Sequence, residues 1–398
     1  VKWYRAYFPF KMASAAMTPL IPVYVRELGG GLVEASLAVA LYNLAAALAS
    51  IILGRVSDGT MERRKYVLGG FLGFTVAGVM FYYVASVTYA LLASVIAGFT
   101  TALCVPIAVL LITETSSEDE WEREIGRFNR VGGLGWIAGL AVGTMWVRFS
   151  SDRELFAFSA VLGGISLTYA FTLIRDPPSR EEVRVRGKLR GEGEGGRLKG
   201  KATGPFALYL ASTFLMFTST SLGYSLLPIF LRDMTATNSE VFLAYFSSSA
   251  VSAATYSRVE RISRGRSFYV QRGASAGRAV ILAVFALSWL MARSKDGVAA
   301  VIVAMMFSGF TWAILNVAGP AAAVRITLRE KRGEAIGTYN AVVSVSSIAG
   351  SALSGVVAQN LGYPALFVSA ASLALASIPL LRVVGGGVGR QQPPEGAC

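Results

Sequence analysis

The sequence predicts an all-α membrane protein with twelve transmembrane helices, and three observations carry that expectation. Hydrophobic residues make up 54% of the 398 positions and charged residues 15%, too little charge to cover a soluble chain of this length. The apolar residues fall in blocks of roughly 20, the length of a helix that crosses a bilayer. Lys and Arg gather in alternate loops, as the positive-inside rule requires.

Twelve blocks can be marked, at roughly 7–26, 33–54, 66–86, 88–113, 126–147, 155–174, 205–231, 239–257, 270–291, 298–324, 335–358 and 363–383. Lipid leaves backbone polar groups unsatisfied, so each block must be a helix or part of a closed barrel. Barrel strands need only ~10 residues with alternating polarity, which these blocks lack. Ala13-Ser14-Ala15 looks like a signal-peptidase site, but the apolar stretch before it is too short for a signal core. The run continues to Val25, so the first block is expected to be a retained span. With a cytoplasmic N-terminus, most of the 37 Lys and Arg fall in cytoplasmic loops. Both termini are then cytoplasmic, in a multi-pass protein of the cell membrane. The acidic run from Glu114 to Glu124 lies on the same side, but acids weigh little in this rule.

The chain repeats itself. Leu20-Ile21-Pro22-Val23-Tyr24-Val25-Arg26-Glu27-Leu28 is matched by Leu226-Leu227-Pro228-Ile229-Phe230-Leu231-Arg232-Asp233-Met234. Glu34 and Glu240 follow at the same offset. Gly98-Phe99-Thr100 is matched by Gly309-Phe310-Thr311, and Ile125-Gly126-Arg127-Phe128-Asn129 by Ile336-Gly337-Thr338-Tyr339-Asn340. The chain is therefore read as a six-helix bundle (1–174), a cytoplasmic linker (175–204) rich in Gly and charge, a second six-helix bundle (205–384) and a tail (385–398).

Composition also excludes functions. A net charge of +13 could suggest nucleic acid, but the basic residues sit in short loops between apolar blocks and form no soluble basic face. The two cysteines, Cys104 and Cys398, make neither a disulfide framework nor a metal set, and the chain has no histidine. With no metal set, no cofactor motif and no paired acids within a span, no catalytic residue is expected and the chain is not read as an enzyme.

The most specific element follows the second block: Gly54-Arg55-Val56-Ser57-Asp58-Gly59-Thr60-Met61-Glu62-Arg63-Arg64-Lys65. It resembles the signature between helices 2 and 3 of the major facilitator superfamily, a Gly, an Asp four residues on and a basic cluster. In the fifth block Gly126, Gly135, Gly139 and Gly143 are similar in spacing to the family's antiporter signature, with Leu140 in place of its usual proline. Pro19-Leu20-Ile21-Pro22 is similar to an element of twelve-helix efflux proteins. The resemblance covers nearly the whole chain and points to the drug or efflux antiporter branch. It implies two bundles related by a pseudo-two-fold axis along the membrane normal, each made of inverted three-helix repeats, with alternating access around a central cavity. It implies a gating role for Gly54, Asp58, Arg63 and Arg64, where a plain positive-inside loop is the other reading. The glycines of block 5 are also what close helix packing alone would require.

Substrate candidates follow from polar positions within the blocks. Lys11 is taken as the charge closest to a span interior, sharing a helical face with Ser14 and Thr18. It either snorkels to the cytoplasmic surface or faces the cavity, where it could pair with Glu114 or attract an anionic substrate. Asn43, Tyr224, Trp312 and Asn316 are the larger polar or aromatic residues on helices that line the family's cavity, and they suit an apolar or weakly polar molecule. Where proton-coupled relatives of this type carry an Arg in span 4, this chain has Ser94, and no Asp or Glu lies near the middle of a block. The expected function is secondary active transport of a small molecule, with efflux of a lipophilic or weakly polar compound favoured. Uptake or facilitated diffusion of a sugar, amino acid or organic anion is the alternative, and a receptor or scaffold on the same fold is another. The expected partners are the substrate, a coupling ion (proton or sodium) and membrane lipids, with the protein a monomer.

Overall fold

The computed structural model describes residues 2–60, 62–116, 120–176, 204–292, 294–327 and 332–389. Side chains are described for the same residues except 2, 53–60, 113, 121–122, 332–333 and 387–389. Of the expected linker, residues 177–203 lie outside this set, as do residues 390–398 of the expected tail.

The first bundle contains α1 (Tyr7–Met17), α2 (Leu20–Glu27), α3 (Leu32–Thr60), α4 (Arg63–Tyr83), α5 (Val87–Thr115), α6 (Trp121–Trp146) and α7 (Asp152–Leu173). The second contains α8 (Gly204–Tyr224), α9 (Leu227–Asp233), α10 (Asn238–Ser263), α11 (Ser267–Ser288), α12 (Lys295–Arg325) and α13 (Arg332–Gly389). α1 and α2 form one span broken ahead of Pro19, and α8 and α9 form another broken ahead of Pro228, because proline withholds the N–H that the helix ladder needs. α13 holds two spans, since Gly362 leaves helical geometry at φ 81° and turns the chain between them. The described helices thus supply the twelve spans. Block 2 is longer than expected, because α3 runs on to Thr60 and carries Gly54 and Asp58 on helical backbone. Their side chains lie outside the described set.

The repeat read from sequence reappears as geometry. At the end of α2, the N–H of Leu28 donates to Tyr24 O and that of Gly30 to Val25 O, with Gly29 left-handed at φ 90°. At the end of α9, Met234 donates to Phe230 O and Ala236 to Leu231 O, with Thr235 left-handed at φ 68°. Both are glycine-type helix stops, but the second uses a β-branched residue in a conformation it resists. Glu34 and Glu240 then reach back to the backbone N–H of Gly31 (2.8 Å) and Thr237 (2.7 Å), capping α3 and α10. Gly98 packs so close to Tyr42 on α3 that a Cβ would overlap that residue's carbonyl, and Gly309 does the same to Ser248 on α10. The cores of the bundles are aromatic and aliphatic. Tyr7, Phe10, Phe71 and Phe74 interlock in the first, and Phe230, Phe285 and Phe367 in the second, all fully buried.

The two bundles meet at the end opposite the termini. There Arg232 lies 3.5 Å from Glu27, and Asn238 donates to both carboxylate oxygens of Asp152 at 2.6 and 2.7 Å. Ser239 donates to Thr144 O at 2.8 Å, and the place of a Cβ on Gly143 is 2.6 Å from the Phe242 ring. Lower down, Asn43 donates to Ser351 at 3.3 Å. Nearer the termini, no hydrogen bond or ion pair joins the bundles among the described residues. Among the described residues, the polar contacts between the bundles therefore close one end of the molecule.

Candidate functional site

Below these closing contacts, a cavity of about 510 Å³ opens at mid-depth between α6 of the first bundle and α8, α10, α11 and α12 of the second. Its position follows from helix composition. α10 turns Tyr245, Ser248, Ser252 and Tyr256 to this side, one turn apart, where tight packing is interrupted. α6 contributes Trp136 and Ile137 from across the interface. Aromatic and small polar side chains alternate around the wall, giving ring faces to hold an apolar body and hydroxyls to orient polar groups.

Two sequence candidates meet there. Tyr224 and Trp312 both line the cavity, and the Tyr224 hydroxyl donates to Ser308 at 2.8 Å. Trp312 is 39% exposed and stands edge-on to Phe217, with ring centres 6.4 Å apart. The other three candidates lie elsewhere. Asn43 is held by Ser351 at the bundle interface, and Asn316 is exposed, donating to Trp312 O at 2.9 Å. Lys11 is half-buried against α6, where its chain carbons face Gly132 and Gly135. The expected pairing of Lys11 with Glu114 does not form: Glu114 is held by the guanidinium of Arg63, with Arg63 Nε 3.0 Å from its Oε2. Arg63 is a fully charged fork buried at 2% exposure, and its bidentate grip outcompetes a point charge from another helix.

The residue that sequence reasoning missed is Arg278. Lys11 is not the charge closest to a span interior. Arg278 stands near the middle of α11 (Ser267–Ser288), roughly 16 Å from its start at 1.5 Å per residue, and is 1% exposed. Its guanidinium carbon lies 5.0 Å from the Tyr224 ring centre and 5.9 Å from that of Trp312. The signal was available, since an arginine eight residues inside an apolar block is beyond easy reach of either surface.

The described motif residues fall into two groups, the basic cluster and the glycines. Arg64 is tied to the end of span 6: its backbone N–H donates to Asp176 at 2.8 Å, its guanidinium to Phe171 O at 2.7 Å, and it stacks on the Phe171 ring. With Arg63 on Glu114, the basic cluster staples α4 to α5 and α7 within the first bundle. Of the glycines, Gly135 and Gly139 admit the backbone of α1, Gly143 admits Phe242 of the opposite bundle, and Gly126 faces open space. A larger recess of about 1110 Å³ runs along α11 and α12, but its walls include the exposed Val280, Val303 and Phe307, side chains that lipid would cover.

Comparison with known proteins places this geometry in a family. Over 159 residues the chain is 26% identical to the quinolone resistance protein NorA of Staphylococcus aureus, covering 40% of each protein. Over 151 residues it is 25% identical to the proton-coupled antiporter flippase LtaA of Staphylococcus saprophyticus, covering 37% of this chain and 38% of that one. The matched segments thus span well under half of these relatives. A crystal structure of a mutant form of the nucleoside transporter NupG superposes with a TM-score of 0.75 at 13% identity, covering 96% of this chain and 98% of the other. The sequence profile of the Major Facilitator Superfamily matches residues 6–292 and 268–396, and with twelve spans in two bundles the chain belongs to that superfamily.

Proposed function

We propose that the chain is a secondary transporter that exports a small amphipathic organic compound from the cytoplasm by alternating access. The observation that carries this reading is the aromatic cavity at the bundle interface, bounded by Trp136, Tyr224, Tyr245, Tyr256 and Trp312. The positive-inside bias favours an extracellular closed end, and entry of the compound from the opposite, cytoplasmic end is the reading that follows. The relatives NorA and LtaA, a quinolone resistance protein and an antiporter flippase, favour outward movement of a compound with a large apolar part. Burial of an aromatic body against these rings supplies affinity without base-like or sugar-like hydrogen-bond patterns.

The test is uptake into everted vesicles, with cytoplasmic face outward, of a fluorescent quinolone and of radiolabelled xylose and alanine. Energised accumulation of the quinolone, reduced by Trp312→Ala, is expected. Accumulation of xylose or alanine instead would contradict export of amphipathic compounds and point to a nutrient carrier.

A further inference from the structure

We propose that Arg278 is the anchor for an acidic group on the transported compound, so that the substrate class is an organic anion with an aromatic or apolar body. This rests on the reading of the cavity as the transport site. Arg63 and Arg278 are the two arginines that are fully buried among the described residues. Arg63 is held by the Glu114 carboxylate. Arg278 has no carboxylate within ion-pair distance among the described residues, and its Nε and Nη2 are buried with no hydrogen-bond partner. A charge at the centre of a membrane helix costs ~2.5–3.5 kcal/mol even on insertion scales, and stranded donors add to it. Ring faces ease that cost only in part.

The stereochemistry specifies what is missing. Nε–H and the adjacent Nη2–H form one edge of the guanidinium, two parallel donors that match the two oxygens of a carboxylate, sulfonate or phosphate. Arg278 is part of the cavity wall, between Tyr224 and the partly exposed Trp312. Binding through this edge requires the partly exposed Trp312, whose ring centre lies 5.9 Å from the guanidinium carbon, to move so that the edge meets the ligand. Among the described residues, no acid lines the cavity to compete for the site or to attract a cation. A neutral compound would leave the fork unpaired, and a cation would be repelled in a low-dielectric site.

The experiment is calorimetric titration of the full chain in nanodiscs with three compounds that share one ring system: 2-naphthoate, 2-naphthalenemethanol and 2-naphthylmethylammonium. The native protein is expected to bind naphthoate about 10- to 100-fold more tightly than the alcohol, the range for a charged hydrogen-bonded pair. Arg278→Gln is expected to bring naphthoate down to the level of the alcohol, and Arg278→Lys to keep part of the preference. The ligand-free Arg278→Gln protein is expected to melt no lower than the native one, because it loses an unpaired buried charge. Equal affinities for the anion and the alcohol on the native protein overturn the anion assignment and leave the cavity reading intact, whether or not the variant folds. Unchanged naphthoate affinity in Arg278→Gln overturns it equally. Binding of none of the three overturns the cavity reading and the inference together.

Discussion

The guanidinium carbon of Arg278 lies 5.0 Å from the ring centre of Tyr224, whose hydroxyl donates in turn to Ser308 at 2.8 Å. One side chain therefore carries two separable interactions. Tyr224→Phe removes only the hydroxyl and is expected to cost about 0.5–1.5 kcal/mol. Tyr224→Leu also removes the cation–π contact and is expected to cost about 1 kcal/mol more. Thermal melts of the two variants in one detergent check the order. A Phe variant as unstable as the Leu variant would show that the ring face contributes nothing.

The repeated helix stop predicts a stabilising change. Thr235 holds φ 68° where the matching position in the first half is Gly29. A β-branched residue pays roughly 1–2 kcal/mol in that conformation, and part of this is returned by the greater freedom glycine has when unfolded. Thr235→Gly should therefore raise stability by about 0.5–1 kcal/mol, read as a higher melting temperature. Gly29→Thr should lower it.

Glycines of one signature are expected to separate by their surroundings. Gly126→Ala meets no neighbour within 4 Å and adds a better helix former, so the melt should be unchanged or slightly higher. Gly139→Ala drives a Cβ into the backbone of Met12 and should cost about 1–3 kcal/mol. Gly143→Ala meets Phe242 of the other bundle, so its effect should appear as weaker closure rather than lower stability. Accessibility of Val33→Cys at the closed end to an impermeant maleimide distinguishes the last two.

Closure itself should depend on pH. Glu27, the last residue of α2, lies just past the apolar block 7–26 at the membrane surface, and its carboxyl is pushed above the usual carboxylate range by burial and then by the neighbouring Asp152, against the opposing charges of Arg232 and Arg153. The closed state thus holds a proton on Glu27 more firmly than an open state in which the carboxyl is hydrated at about 4.3. The sign follows: closure is fully favoured at low pH and weakens as pH rises from the ordinary carboxylate range through the raised value. Labelling of Val33→Cys should increase over that window, and Glu27→Gln should flatten the curve. A curve of equal slope in the Gln variant would remove Glu27 from the account.

What was legible in the sequence and what was not divides along physical lines. Span number, the repeat and the family signature depend on apolar length and on residues recurring in register, and both are local properties. Gly98 and Gly309 could be matched from the chain alone because each must admit a backbone, whatever its partner. The cavity is a tertiary property. Asn316 lies one turn beyond the cavity-lining Trp312 but donates back to its own helix, and Asn43 lies on α3, outside the described cavity wall, where it is bonded to Ser351. Lys11 was readable as a charge in a span, and its distance from Glu114 was not, because that depends on Arg63 reaching across from α4. Arg278 could have been singled out from its depth in block 9 alone. A tally of loop cations hides it, since the tally treats every arginine as belonging to a membrane face.

The most direct test of the central claim is labelling of Ser249→Cys, a cavity-wall position, in a Cys398→Ser background where the buried Cys104 stays unreactive. An impermeant thiol reagent is added to one side or the other of oriented vesicles. The account predicts rapid labelling from the cytoplasmic side, slower labelling from the outside as the closed end opens, and suppression of both by a bound amphipathic ligand. Reaction only with reagents dissolved in the lipid, from neither aqueous side, would contradict an alternating-access cavity at this interface.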